Sequence, residues 1–221
     1  MFNIIMIGPQ GSGKGTQAEK MSEKLGIPTI SLGKLFRAEI ERKTGLGRDL
    51  AGYIKRGELA PTDLVNQVMS ERLAEDDTSA GVIVDGYPRT KDQAEALDEL
   101  MTKLGRQVTH VVSLDIADEE AVRRLSGRRV CSNLSCELNY HVEFNPPKGS
   151  PDKCDRCGSP LVQRTDDTPD AIRQRLKLYH HDTQPLIDFY SSRGLVKRID
   201  GSRPIAEVES AIAAALGVKA A

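Results

Sequence analysis

A glycine-rich loop near the start of the chain has the composition of a phosphate-binding site. Residues 8–16 read GPQGSGKGT, and a short apolar run, Phe2–Ile7, precedes them. Glycines let several backbone N–H groups point at one phosphate chain, and a helix predicted over 17–25 adds the positive end of its dipole. Lys14 can supply a point charge to the β- and γ-phosphates. The predicted strand, the spacing and the lysine together indicate a P-loop, which we favour over a glycine turn without a ligand.

A second motif follows another predicted strand, Val82–Val84. It reads DGYPRT over residues 85–90. Ligands of open α/β sheets bind beyond the carboxyl ends of the strands. Asp85 could hold Mg²⁺ there, through water, and Arg89 could bind an anion. The simpler interpretation, a helix cap, is outweighed because a P-loop is predicted in the same sheet.

All four cysteines lie in one short part of the chain, at Cys131, Cys136, Cys154 and Cys157. Two close cysteine pairs suit a tetrahedral structural zinc site, and the same sulfur donors also suit iron or cobalt. Four free thiols and two disulfides are the alternatives. The first pair has four intervening residues rather than the commoner two, so Cys136 is the least regular member of the predicted set.

Composition excludes several classes of protein. The 221 residues carry 31 Lys+Arg against 32 Asp+Glu, a net charge of -1, which argues against a nucleic-acid-binding protein. No apolar run is long enough to span a bilayer, and the N-terminus has no basic segment typical of a signal peptide. We therefore expect a cytoplasmic protein without nucleic-acid or membrane partners.

Helical and strand patterns alternate along the chain. Further strands are predicted over 108–114 and 195–199, and helices over 35–43, 49–55, 92–104, 117–125 and 169–190, with others beginning at Pro61 and Pro204. Such alternation predicts an α/β fold with a central parallel sheet covered by helices on both faces.

The two motifs, taken together with GRR at 127–129 and RTDD at 164–167, resemble those of the adenylate kinases. The resemblance extends over essentially the whole chain. It implies a three-layer P-loop core over residues 1–30, 61–126 and 168–221, a helical AMP-binding insert over 31–60, and a small zinc-binding lid over 127–167. It also implies a monomer.

The implied activity is reversible transfer of the terminal phosphoryl group of MgATP to AMP, giving two ADP, in adenine nucleotide homeostasis. Because the acceptor is already an anionic phosphate, a site of Lys, Arg and Mg²⁺ needs no general base. Two alternatives stay open, a kinase of another nucleoside monophosphate (UMP or CMP) and a non-catalytic ATP-binding zinc-ribbon module.

The resemblance also implies roles for individual residues. The implied catalytic residues are Lys14, Arg89, Arg124, Arg128, Arg164 and Arg175. Those implied to bind ATP are Gly11, Ser12, Gly13, Lys14, Gly15, Thr16, Arg128, Asn139, Tyr140 and Arg203. Those implied to bind AMP are Leu32, Arg37, Glu58, Leu59, Ala60, Gly86, Tyr87, Pro88, Arg89, Gln93, Arg164 and Arg175.

The acceptor region departs from the family pattern at two positions. Leu32 replaces a threonine that lies against the adenine, and Lys34 replaces an aspartate. Leucine can pack against a base but cannot form a hydrogen bond with it. Gln93, which reads the adenine edge in the family, is retained.

Replacing Leu32 with threonine restores the hydrogen-bonding group of the family pattern. We expect Leu32→Thr to lower the KM for AMP, measured in a coupled ADP-formation assay, without changing the KM for ATP. An unchanged or higher KM for AMP would mean that the leucine already suits the acceptor.

Overall fold

The fold described here is that of a computed structural model, which describes residues 1–133, 135–136 and 138–218. Its strands are β1 (Phe2–Ile7), β2 (Thr29–Ser31), β3 (Gly81–Asp85), β4 (His110–Asp115), β5 (Arg128–Cys131), β6 (Asn139–His141), β7 (Leu161–Val162) and β8 (Val196–Asp200). Its helices are α1 (Lys14–Leu25), α2 (Leu32–Glu41), α3 (Gly45–Arg56), α4 (Thr62–Leu73), α5 (Lys91–Lys103), α6 (Asp118–Ser126), α7 (Pro169–Leu178), α8 (Pro185–Ser191) and α9 (Ile205–Ala215).

A five-stranded parallel sheet in the order β2-β3-β1-β4-β8 forms the centre of the molecule. Neighbouring residues along each strand point to opposite faces. Accordingly Ile5 and Val84 belong to one buried cluster, whereas Ile4 and Ile83 belong to the other. Two apolar cores on the two faces of one sheet confirm the predicted three-layer α/β fold.

The order and type of the predicted core elements are confirmed, and most of their ends shift by a few residues. The first helix begins at Lys14 rather than residue 17, because Gly13 already serves as its N-cap. The helix predicted over 169–190 is wrong as one element. It divides into α7, a π turn at Tyr179–Thr183, and α8. Strand β2 was not predicted.

Between α6 and α7 the chain forms a small antiparallel sheet in the order β6-β5-β7. Few large side chains are buried in it, and the local cluster consists of Cys131, Tyr140 and Cys154. The two helices that flank this segment pack together through Ala121 and Leu125 on α6 and Ile172 and Leu176 on α7.

Helices α2 and α3 pack closely because Gly47 has no side chain. Gly47 is buried, and a Cβ built on it would overlap the carbonyl oxygen of Glu39. In the same helix, a Cβ on Gly52 would meet only the end of the flexible Arg56 side chain, at 3.1 Å.

Within the described residues, no helix is long and apolar enough to cross a membrane.

These two glycines give a matched pair of substitutions. We expect Gly47→Ala to lower the free energy of unfolding by about 2 kcal/mol, because the methyl group forces α2 and α3 apart. Gly52→Ala is expected to raise it by about 0.5–1 kcal/mol, since glycine is unfavourable inside a helix. Urea denaturation followed by circular dichroism measures both, and equal effects would contradict the close packing.

Candidate functional site

The glycine-rich loop joins β1 to α1 and opens into a cleft. It turns at Gly11 and Gly13, whose φ angles are 88° and 94°. A Cβ on Gly11 would lie 2.9 Å from the carbonyl oxygen of Ala121, so a larger residue does not fit. Gly13 has no side chain that could bind the first-turn N–H groups of α1. Those groups can therefore bind an anion.

Lys14 is held by the loop that it follows. Its Nζ donates hydrogen bonds to the carbonyl oxygens of Gly8 (2.6 Å) and Pro9 (2.8 Å). Burial lowers the pKa of Lys14 to about 8, and the nearby Asp85 carboxylate partly opposes this shift. A bound phosphate would favour the charged ammonium further, so the lysine is suited to an anionic ligand.

Asp85 ends β3 beside the first turn of α1. The hydroxyl of Ser31, at the end of the neighbouring strand, lies 3.4 Å from Asp85 Oδ2. A Cβ on Gly15 would lie 3.6 Å from the same oxygen. A carboxylate in this position offers the hard oxygen donor that Mg²⁺ prefers, directly or through its water shell.

The loop faces a cleft of about 680 Å³. Predicted site residues lining it are Gly11, Ser12, Gly13, Lys14, Gly15, Thr16, Arg37, Asp85, Gly86, Pro88, Arg89, Arg124, Arg128, Asn139, Tyr140, Arg164, Arg175 and Arg203. A smaller pocket of about 70 Å³ is lined by Leu32, Arg37, Glu58, Leu59, Ala60, Arg89, Gln93, Arg164 and Arg175.

Four arginines border both cavities: Arg37, Arg89, Arg164 and Arg175. A ligand in the smaller pocket and a ligand on the glycine-rich loop would therefore meet among guanidinium groups. Tyr87, predicted with the acceptor residues, lines neither cavity. It is buried, and its hydroxyl lies 2.9 Å from Asn66 Oδ1 and 3.1 Å from the Gln93 carbonyl oxygen.

Two buried carboxylates hold three of the predicted catalytic arginines. Arg128 donates to both oxygens of Asp167, at 2.8 and 2.5 Å, and Arg164 donates to both oxygens of Asp166, at 2.8 and 2.6 Å. Arg175 lies 3.1 Å from Asp166 Oδ2 and 3.5 Å from Asp167 Oδ1. Bidentate pairs of this kind fix the orientation of a guanidinium group.

Burial and mutual repulsion perturb this network. Burial lowers the pKa of Arg175 to about 10. Burial would raise the pKa of Asp166, but Arg164 and Arg175 outweigh it and lower that pKa to about 2. The Asp166 carboxylate therefore stays ionised at neutral pH. Because three arginines face two aspartates, the cluster keeps an excess of positive charge.

Arg124 and Arg203 lie at another part of the cleft. Arg124 donates to Glu120 Oε1 (2.7 Å) and to the carbonyl oxygens of Gly201 (2.8 Å) and Ser202 (3.2 Å). Arg203 is largely exposed and donates to Asp200, at 3.2 Å. The described contacts tie Arg124 to the 201–202 turn rather than to the carboxylate pair, so its placement at a transferring group stays a prediction.

The four cysteines lie together, with their sulfur atoms all within 4.8 Å of one another. Cys131 Sγ lies 3.4 Å from Cys157 Sγ, and Cys136 Sγ lies 3.6 Å from Cys154 Sγ. In a tetrahedral zinc–thiolate site the sulfurs are about 3.8 Å apart, given a metal–sulfur bond of about 2.3 Å. The arrangement fits a metal bound by all four residues, including the irregularly spaced Cys136.

Tyr140 supports the cysteine cluster. Its hydroxyl lies 3.5 Å from Cys154 Sγ and accepts a hydrogen bond from the Asp155 N–H at 2.9 Å. The hydrogen bond from Tyr140 lowers the pKa of Cys154 to about 6. A thiolate stabilised in this way is a ready metal ligand.

Several residues in and around the two cavities were not identified from the sequence. Asp166 and Asp167 stand inside the RTDD motif, but the sequence alone does not show that both carboxylates are buried among arginines. His141 and Phe144 line the cleft beside Tyr140, and their rings stack with centroids 4.4 Å apart. The one sequence signal for this feature is the presence of two aromatic rings close together in an otherwise polar segment, which could have indicated a surface for stacking.

A P-loop after the first strand of a parallel sheet, facing an arginine-lined cleft with a second pocket, defines the class of P-loop kinases. The sequence model of the family described as Adenylate kinase matches residues 6–195. The chain belongs to this family.

Individual relatives extend the match to nearly the whole chain. Adenylate kinase of Agathobacter rectalis is 44% identical over 98% of this chain and 100% of that relative. Adenylate kinase of Moorella thermoacetica is 45% identical over 98% of each chain, and that of Symbiobacterium thermophilum is 45% identical over 96% of each.

The sulfur geometry predicts that the purified protein carries one tightly bound metal ion per chain. We expect Cys154→Ser to lose the metal and to expose the 127–167 segment to limited proteolysis, because few apolar contacts hold this segment together. Ser150→Ala, in the same segment, is the control and should change neither. Metal analysis by mass spectrometry would contradict the prediction if the wild-type protein held no metal.

Proposed function

We propose that this chain catalyses reversible transfer of the terminal phosphoryl group of MgATP to AMP, giving two ADP. The observation that carries the proposal is the set of arginines shared by the two cavities, since each cavity then presents the phosphate of its nucleotide to the same charges. Family membership supports the same activity, with adenine nucleotide homeostasis as its purpose.

In this proposal the glycine-rich loop and Lys14 bind the phosphates of ATP. Arg37 and Arg89 bind the phosphate of AMP at the border of the smaller pocket. Arg128, Arg164 and Arg175 stabilise the charge on the transferring group. The acceptor oxygen is already anionic, so attack requires alignment and charge neutralisation rather than a base.

Mg²⁺ supplies neutralisation of the phosphate charge when bound with ATP, and Asp85 is the residue that would hold its water shell. The sulfur cluster is proposed to hold a structural zinc ion, with iron or cobalt as alternatives for the same donors. Zinc would act on the shape of the 127–167 segment and not on the reaction, because its four ligands are all provided by that segment.

We further propose that residues 31–60 form the AMP-binding insert, and that residues 127–167 form a lid over ATP carried by the core of residues 1–30, 61–126 and 168–221. The position of Asn139 and Tyr140 in the wall of the cleft supports the second assignment. Closure would exclude water that could otherwise hydrolyse ATP. We propose a cytoplasmic monomer with ATP, AMP and ADP as ligands.

The test is a coupled assay of ADP formation with MgATP and each of AMP, CMP, UMP and GMP. We expect the highest kcat/KM with AMP, and we expect Arg89→Ala to lower that value at least about a hundredfold by removing a charge from the acceptor phosphate. Lys91→Ala, which removes an exposed lysine that pairs with Glu95, is the control and should have no effect.

Each other outcome identifies a different function. A higher kcat/KM with UMP or CMP would make the chain a kinase of another nucleoside monophosphate. Absence of turnover with every acceptor would indicate a non-catalytic ATP-binding module.

A further inference from the structure

The backbone of Arg89 is held from both sides. Its N–H donates to Gln93 Oε1 at 2.8 Å, and its carbonyl oxygen accepts a hydrogen bond from the Thr183 hydroxyl at 2.9 Å. The side chain turns back on its own loop, since Nε donates to the Gly86 carbonyl oxygen at 2.8 Å. These three bonds fix where the guanidinium group enters the cleft.

Thr183 comes from a distant part of the chain. It is the last residue of the π turn at Tyr179–Thr183, where the Gln184 N–H bonds to the Tyr179 carbonyl oxygen at 2.7 Å. A π turn is wider than an α turn, so it rotates the residues that follow it. Thr183 lies with Arg175 in the wall of the same cleft.

Burial makes this support necessary. Arg89 is half-buried in the wall of the cleft, and loss of hydration is the main cause that lowers its pKa. A partly buried arginine gains by moving toward water unless neighbouring groups hold it. Thr183 is itself only 9% exposed, so removing its hydroxyl would leave the Arg89 carbonyl oxygen without that donor in a poorly hydrated place.

We propose that Thr183 is a positioning residue that holds Arg89 in register with the phosphate of the acceptor nucleotide. This inference rests on the proposed function, in which Arg89 binds the AMP phosphate. It adds a residue from the π turn that follows α7, the helix that carries Arg175. The last residue of the π turn provides the hydroxyl that contacts the Arg89 loop.

The test compares side chains that differ only in the hydroxyl group. Thr183→Val keeps the shape and loses the donor, whereas Thr183→Ser keeps the donor. We expect Thr183→Val to raise the KM for AMP about three- to tenfold, the range that one hydrogen bond supports. The KM for ATP should stay unchanged, and Thr183→Ser should retain the wild-type KM for AMP.

Thr78→Val is the matched control. The Thr78 hydroxyl is also buried and donates to a backbone carbonyl, that of Leu73, at 2.8 Å, but Thr78 does not line the cleft. We expect it to lower thermal stability without changing the KM for AMP. If Thr183→Val does not fold, Thr183→Ser and Thr183→Ala form a second pair that differs by the hydroxyl alone.

Calorimetric titration separates positioning from general damage. Thr183→Val should weaken binding of AMP but not of adenosine, because adenosine has no phosphate for Arg89 to bind. In an Arg89→Ala background, Thr183→Val should weaken AMP binding no further, as expected for two residues that act through one contact.

Three results would overturn the inference: equal weakening of AMP and adenosine, full additivity with Arg89→Ala, or the same KM for AMP as in the Thr78→Val control. Failure of the wild-type protein to phosphorylate AMP would instead refute the proposed function.

Discussion

Positive charge concentrated in a poorly hydrated cleft is the constraint on which this structure depends. Lys14, Arg89, Arg128, Arg164 and Arg175 all border the same cavity, and burial lowers the pKa of several of them. Without compensating negative charge, these side chains would repel one another, and they would either move apart or lose protons. Asp166 and Asp167 offset part of this charge and orient three of the arginines. The remaining excess is available to phosphate groups, so the free protein is already arranged for an anionic ligand.

Much of the fold could be predicted because its signals are local. A short apolar run, a glycine-rich loop and a lysine identified β1 and α1, and the P-loop between them. Strand β2 has only three residues, Thr29–Ser31, too few for a recognisable pattern. The π turn was also missed, because apolar positions continue at helical spacing through Tyr179 and do not reveal a change in hydrogen bonding.

The candidate site was predicted only in part, because some of its features have local sequence signals and others do not. The resemblance predicted that arginines in the motifs bind phosphate, but their burial and pairing depend on contacts between residues far apart in sequence. The contact of Arg128 with Asp167 spans the cysteine-rich segment, and that of Thr183 with Arg89 spans β4 of the core and the whole 127–167 segment. The cysteine cluster was easier to predict, since four clustered cysteines are compatible with only a few arrangements: a metal site, disulfides or free thiols.

The packing of α6 against α7 closes the base of the 127–167 segment. Ala121, Leu125, Ile172 and Leu176 bring the two ends of the segment together within the core, so the entropy of closing this long loop is offset by contacts outside it. The α6–α7 contact can therefore persist when the middle of the segment, between Arg128 and Arg164, is lengthened or shortened. The segment is thus a module whose middle can vary in length, while its two ends stay anchored through the contact of Arg128 with Asp167.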